Sequence, residues 1–139
     1  MRTYELATLA AARALRSTYC ALAHGSVLAD KVFDPATVTR IATNAPESPL
    51  EPREHAMIAF VEKVVREADR ITAADVEALR AHGFRDEEIF DVAAAAAARC
   101  FFAKLVDAMG VQADSAFLDL DPAFRQAMTV GRPVADRPA

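Results

Sequence analysis

The residues best placed to do chemistry lie in one short run, Ser17-Thr18-Tyr19-Cys20-Ala21-Leu22-Ala23-His24. On a helix, side chains four positions apart share a face with roughly 5 to 6 Å between Cβ atoms, so the His24 ring reaches the Cys20 thiol directly or through one water. Ser17 or Thr18 has the side chain of a helix N-cap. That places Cys20 in the first helical turn, where unpaired N–H groups and the positive end of the dipole favour the thiolate, the form that attacks electrophiles. The competing reading is a cysteine and a histidine packed side by side in a core, since free cysteine is among the most buried residue types.

Other reactive side chains carry less. Cys100 falls on the apolar stripe of a long helix and reads as a packing residue. His55 and His82 have no cysteine or carboxylate partner at metal-ligand spacing, and Glu51 and Glu54 read as members of a solvated first turn, so neither a metal nor a cofactor is expected. Tyr19 reads as packing or as pocket lining, and Phe101 and Phe102 as core or subunit contact.

The elements that must hold these residues are helical. The chain has only four glycines, abundant alanine and no alternating β-branched run. A first helix is predicted from Thr3 to about Arg16 and a second from Ser17 or Thr18 to about Val32, with Asp34-Pro35 opening a third that ends at Ala42. After a Pro-containing loop, Pro52 starts a helix with Met57, Val61, Val64 and Ala68 at helical spacing. Thr72 and Asp75 form a capping-box pattern for a helix ending at Gly83. The last long helix runs from about Asp86 to Met109 with Ile89, Ala93, Ala96, Ala97, Cys100 and Leu105 on one face, and its alanine-rich middle invites close helix approach. A further short helix is expected over Pro122 to Met128, followed by a tail that is mobile or wrapped on a neighbour.

Glu5, eleven residues, Ser17, two residues, Cys20, three residues and His24 resemble the signature of the alkylhydroperoxidase D-like branch of the carboxymuconolactone decarboxylase family, with Ser17 in place of the first cysteine. The likeness extends through Ile71-Thr72-Ala73-Ala74-Asp75-Val76, Leu79-Arg80, Gly83, Asp86-Glu87-Glu88-Ile89 and Val106-Asp107-Ala108-Met109-Gly110-Val111. It implies a compact all-α bundle of about six helices over residues 1–111, with 112–139 as a C-terminal extension carrying a short helix and a mobile tail. By that resemblance Cys20 attacks a small organic hydroperoxide, His24 takes its proton and Glu5 completes the relay. Ser17 and Tyr19 then line the substrate pocket. Because Ser17 cannot form the family's disulfide, Cys20 would stop at a sulfenic acid and need an external thiol as reductant. The resemblance also implies a homo-oligomer, trimer or hexamer, with the Ala93–Phe102 region or the first helix buried between subunits. Two other readings share the fold: a lyase acting on a small acid, and a non-catalytic binding module that has lost the cysteine pair.

Composition narrows the classes. The 139 residues are 53% hydrophobic, enough for one core, and the net charge of -4 is spread among interleaved acids and bases, which gives nucleic acid no purchase. No apolar run reaches the roughly 18 residues of a membrane span, and Glu5, Arg13 and Arg16 interrupt the N-terminal stretch where a signal sequence would be apolar. The expectation is a cytoplasmic protein whose two cysteines rest as thiols.

Overall fold

In a computed structural model, residues 1–138 are described and hold seven α-helices, two 3-10 turns and no strand, which bears out the all-α expectation. The helices are α1 (Arg2–Ala14), α2 (Thr18–Lys31), α3 (Pro35–Ala42), α4 (Pro52–Glu67), α5 (Ala73–Ala81), α6 (Asp86–Ala108) and α7 (Pro122–Met128), with 3-10 turns at Ala68–Arg70 and Ser115–Asp119. Among the described residues no helix is long and apolar enough to cross a membrane.

α1 is the centre of the bundle. Every residue from Glu5 to Ala12 is buried, and a helix covered on all sides in this way must be surrounded by others. α2, α4 and α6 pack around it. Its alanines Ala7, Ala11 and Ala12 are fully covered and let those neighbours approach closely, while Leu6 and Leu9 fill the space between them.

The starts and stops follow local chemistry. Asp34 caps α3 by accepting from the Thr37 N–H at 2.9 Å, and the Asp75 carboxylate accepts from the Thr72 N–H at 2.7 Å to close the box at the start of α5. Gly83 and Gly110 take positive φ values of 82° and 75° just after α5 and α6, where an L-residue would be strained.

The turn between α1 and α2 is less ordinary. Ser17 N–H donates to Ala12 C=O at 2.9 Å and Arg16 N–H to Arg13 C=O at 3.0 Å, the paired bonds of a Schellman stop. The left-handed position is occupied by Arg16, at φ 58°, where glycine is usual. A non-glycine residue there costs on the order of 1 kcal/mol. Contacts from the far end of the chain hold it: Arg16 Nε donates to Val130 C=O at 3.2 Å, and Gly131 lies so close that a Cβ on it would overlap the Arg16 carbonyl oxygen.

Two sequence expectations change. The tail lies on its own chain: Gly131 N–H donates to Thr18 Oγ1 at 2.9 Å, Arg132 bonds the carbonyls of Asp107 and Gly110, and Phe124 and Met128 of α7 are in the core. On α6 the buried seam is Ile89, Val92, Ala96 and Ala103, whereas Ala97 is exposed and Leu105 is 50% exposed. Six consecutive alanines give the helix no contrast between faces, so periodicity could not set its rotation.

Candidate functional site

The strained turn delivers α2 to the site. Ser17 is at the N-cap with extended backbone, as expected, but its hydroxyl makes no capping bond; it is fully buried and its oxygen has no partner among the described residues. The first backbone bond of α2 is Ala21 N–H to Ser17 C=O, which leaves the N–H groups of the first turn outside the helix's own ladder. Cys20, in that turn, is 1% exposed.

One turn further, His24 Nδ1 is 2.7 Å from Glu5 Oε2 of α1. Both side chains are largely covered, at 16% and 11% exposure. Their meeting follows from packing α2 on α1. The Thr8 hydroxyl donates back to the carbonyls of Tyr4 and Glu5 and so finds its partners inside this covered stretch of α1. The Tyr4 ring sits edge-on to the His24 ring, 6.3 Å between centroids.

The structure therefore brings Glu5 and His24 together, with Cys20 one helical turn before His24 on α2. Tyr19, half-buried beside them, turns to the Phe102 ring of α6 at 6.5 Å. Cys100 is half-buried rather than sealed in the core, and His55 and His82 are exposed. Phe101 is 72% exposed and Phe102 41%, so neither is core in a single chain. No group of three metal-ligating side chains occurs among the described residues.

Glu54 overturns the solvated-turn reading. It is buried, takes a two-point contact from Arg2 at 2.6 and 2.8 Å and accepts from the Glu51 N–H at 3.0 Å. Burial alone would raise its pKa, but the bonds from Arg2 and the Glu51 amide hold it below the ordinary carboxylate value. The Arg2 guanidinium also lies over the Phe33 ring at 4.6 Å. This pair ties the start of α1, and with it Glu5, to the start of α4.

Sequence reasoning missed Arg99. Its Nη1 is 3.9 Å from Cys20 Sγ, and its position follows the buried seam of α6 at helical spacing. The signal was the break in the alanine run, a cation placed where the pattern calls for a small apolar residue.

A groove of about 590 Å³ runs between α1 and α6, lined by Tyr4 and Ala7 on one side and Val92, Ala95 and Ala98 on the other. Through Tyr4 it adjoins the His24–Glu5 pair.

No family profile and no curated protein matches the chain. Solved structures do. The alkylhydroperoxidase AhpD core, a peroxidase-related protein from Ralstonia eutropha JMP134, aligns with a TM-score of 0.74 and 28% identity over 94% of this chain. A peroxidase-related protein from Silicibacter sp. TM1040 aligns with a TM-score of 0.76 and 26% identity over 82% of it. This chain spans 65% and 60% of those two chains, so each has substantial additional length. The fold is alkylhydroperoxidase D-like.

Proposed function

We propose that the protein is a thiol-dependent peroxidase-like oxidoreductase acting on small organic hydroperoxides through Cys20. The observation that carries this reading is the 2.7 Å bond between Glu5 and His24, which joins two helices one turn from a thiol at a helix start. In the proposed step His24, oriented by Glu5, takes the Cys20 proton directly or through one water. The thiolate sulfur then bonds to the terminal peroxide oxygen, which keeps its proton and becomes the sulfenic O–H. The O–O pair leaves as alkoxide and receives the proton held by His24, so a thiol and a hydroperoxide become a sulfenic acid and an alcohol. With Ser17 in place of a resolving thiol, one external thiol would form a mixed disulfide with release of water and a second would regenerate Cys20.

The exposed apolar side chains Phe90, Phe101 and Leu105 of α6 and Met109 at its end support assembly with further copies of the chain, trimer or hexamer, through that helix. α1 is largely enclosed by its own chain from Glu5 to Ala12, which favours α6 over the first helix as that interface.

The test is addition of an alkyl hydroperoxide to reduced protein followed by dimedone. A Cys20 adduct in the wild type, absent in Cys20→Ser and slowed in His24→Ala, supports the reading. Two observations favour the binding-module alternative: Cys20 is 1% exposed and Ser17 offers no second thiol. A wild-type protein that consumes no peroxide and gives no adduct would decide for it.

A further inference from the structure

We infer that Arg99 is a working member of this site, the cation that holds the Cys20 thiolate and donates to the departing peroxide oxygen. The inference rests on the reading of Cys20 as nucleophile and adds a residue from a third helix.

Three observations converge on it. The guanidinium Nη1 lies 3.9 Å from the sulfur, within reach of a long N–H···S bond that strengthens when sulfur becomes anionic. Among the described residues His24 bonds to Glu5 and Arg99 contacts Cys20, so the charge partner of the sulfur comes from α6 while the imidazole is held by α1. Second, Arg99 Nε is buried and makes no hydrogen bond among the described residues. A buried donor left unpaired costs about 1–3 kcal/mol, and a fold tolerates it most readily where a ligand supplies the acceptor. Third, the guanidinium stands 5.4 Å from the centroid of the Phe102 ring, a contact that leaves its donors free.

The chemistry suits the position. As the O–O bond breaks, negative charge leaves the sulfur and grows on the alkoxide oxygen. A planar cation with one N–H on sulfur and another free serves both ends, which a point-charge ammonium does less well. The charged side chain in contact with the thiol is Arg99 of α6; His24 follows one turn along the thiol's own helix, and Glu5 of α1 bonds that imidazole. Tyr19 faces Phe102.

The experiment reads the thiolate itself and needs no peroxide, so it fails or succeeds apart from the peroxidase reading. In a Cys100→Ser background, where Cys20 is the sole thiol, the ultraviolet thiolate absorbance is recorded against pH for Arg99, Arg99→Lys and Arg99→Gln, with helicity checked by circular dichroism. Arg99→Gln is expected to lower the thiolate absorbance on the low side of the curve, and Arg99→Lys to lower it less. Should Arg99→Gln not fold, Arg99→Lys remains the deciding variant. Coincident curves for the folded variants would overturn the role. A displaced curve together with no dimedone adduct would keep Arg99 as the thiolate's partner and remove the peroxidase reading alone.

Discussion

Glu5 and His24, nineteen residues apart in sequence, share one 2.7 Å hydrogen bond across two helices, and both are shielded from solvent. Glu5→Gln keeps the shape and a hydrogen-bonding carbonyl but removes the carboxylate charge that faces the imidazole. Sulfenic acid formation at Cys20 is expected to fall by about 10- to 100-fold, less than the roughly 100- to 10,000-fold of a direct general acid or base, because Glu5 acts through His24. Circular dichroism should be unchanged. Equal rates in Glu5→Gln and wild type, measured by dimedone trapping, would remove Glu5 from the relay.

The Arg2–Glu54 pair makes a separate prediction about acid stability. Glu54 has its carboxyl held below the usual 4.5 in the folded chain despite the opposing effect of burial. A depressed carboxylate contributes stability above its unfolded value and loses it as pH falls through the folded one, so the contribution fades below about 4.5. Asp75, held at about 2 from 3.8 by Lys63 first and by Thr72, fades later, between those values. Glu54→Gln should cost about 1–3 kcal/mol at neutral pH, the partial exposure of Arg2 keeping it below the cost of breaking a fully buried pair. It should also flatten the upper part of the acid limb in chemical denaturation. Asp75→Asn should flatten the lower part instead.

Much of this arrangement was legible. Asp34-Pro35, Thr72 with Asp75, and Pro122 announced helix starts because capping and proline chemistry are local. The Cys20–His24 spacing announced a shared face for the same reason, and Glu5 was found through its register with a known motif. Arg99 was not found, because its role depends on the rotation of α6, and six alanines carry no information about rotation. Glu54 was misread because an acid in a first turn looks alike whether it faces water or Arg2, and only the docking of α1 on α4 decides between them. The tail was misread because a segment without period shows nothing of what it packs against.

That tail predicts a contrast between two glycines. A Cβ at Gly25 would approach the Met128 sulfur to 2.8 Å, the far end of a flexible side chain that can move aside. At Gly131 it would meet the rigid carbonyl of Arg16. Gly25→Ala should therefore cost little, below about 1 kcal/mol, and Gly131→Ala about 1–3 kcal/mol. The second variant should also lose the Gly131–Thr18 bond, seen as faster amide exchange at Gly131 and faster proteolysis after Val130.

The apolar face of α6 predicts assembly. Phe101→Glu with Leu105→Glu is expected to reduce the proposed oligomer to a particle of about 15 kDa in light scattering without loss of helix, because both side chains are exposed in the single chain. A wild type that is already monomeric at micromolar concentration would rule out this interface.

The substitution at Ser17 separates a one-cysteine peroxidase from a fold without chemistry. Ser17 is the N-cap residue of α2, with φ -90° and ψ 100°, three positions before Cys20. Its hydroxyl makes no capping bond, so Ser17→Cys loses none of the roughly 1 kcal/mol that a working serine cap would contribute and should fold with near-wild-type stability. The new thiol would occupy a fully buried position at the mouth of the helix beside Cys20. If the Cβ atoms come within about 3.5–4.5 Å, a disulfide closes with little movement. Hydroperoxide should then convert the reduced variant to a 17–20 disulfide, a loss of two hydrogens by mass, whereas wild-type Cys20 should stop at a dimedone-reactive sulfenic acid. The disulfide should form through that same acid, so Cys20→Ser in the variant background must abolish both products. A folded variant that gains no disulfide, alongside a wild type that takes up neither peroxide nor dimedone, would leave the binding-module reading standing.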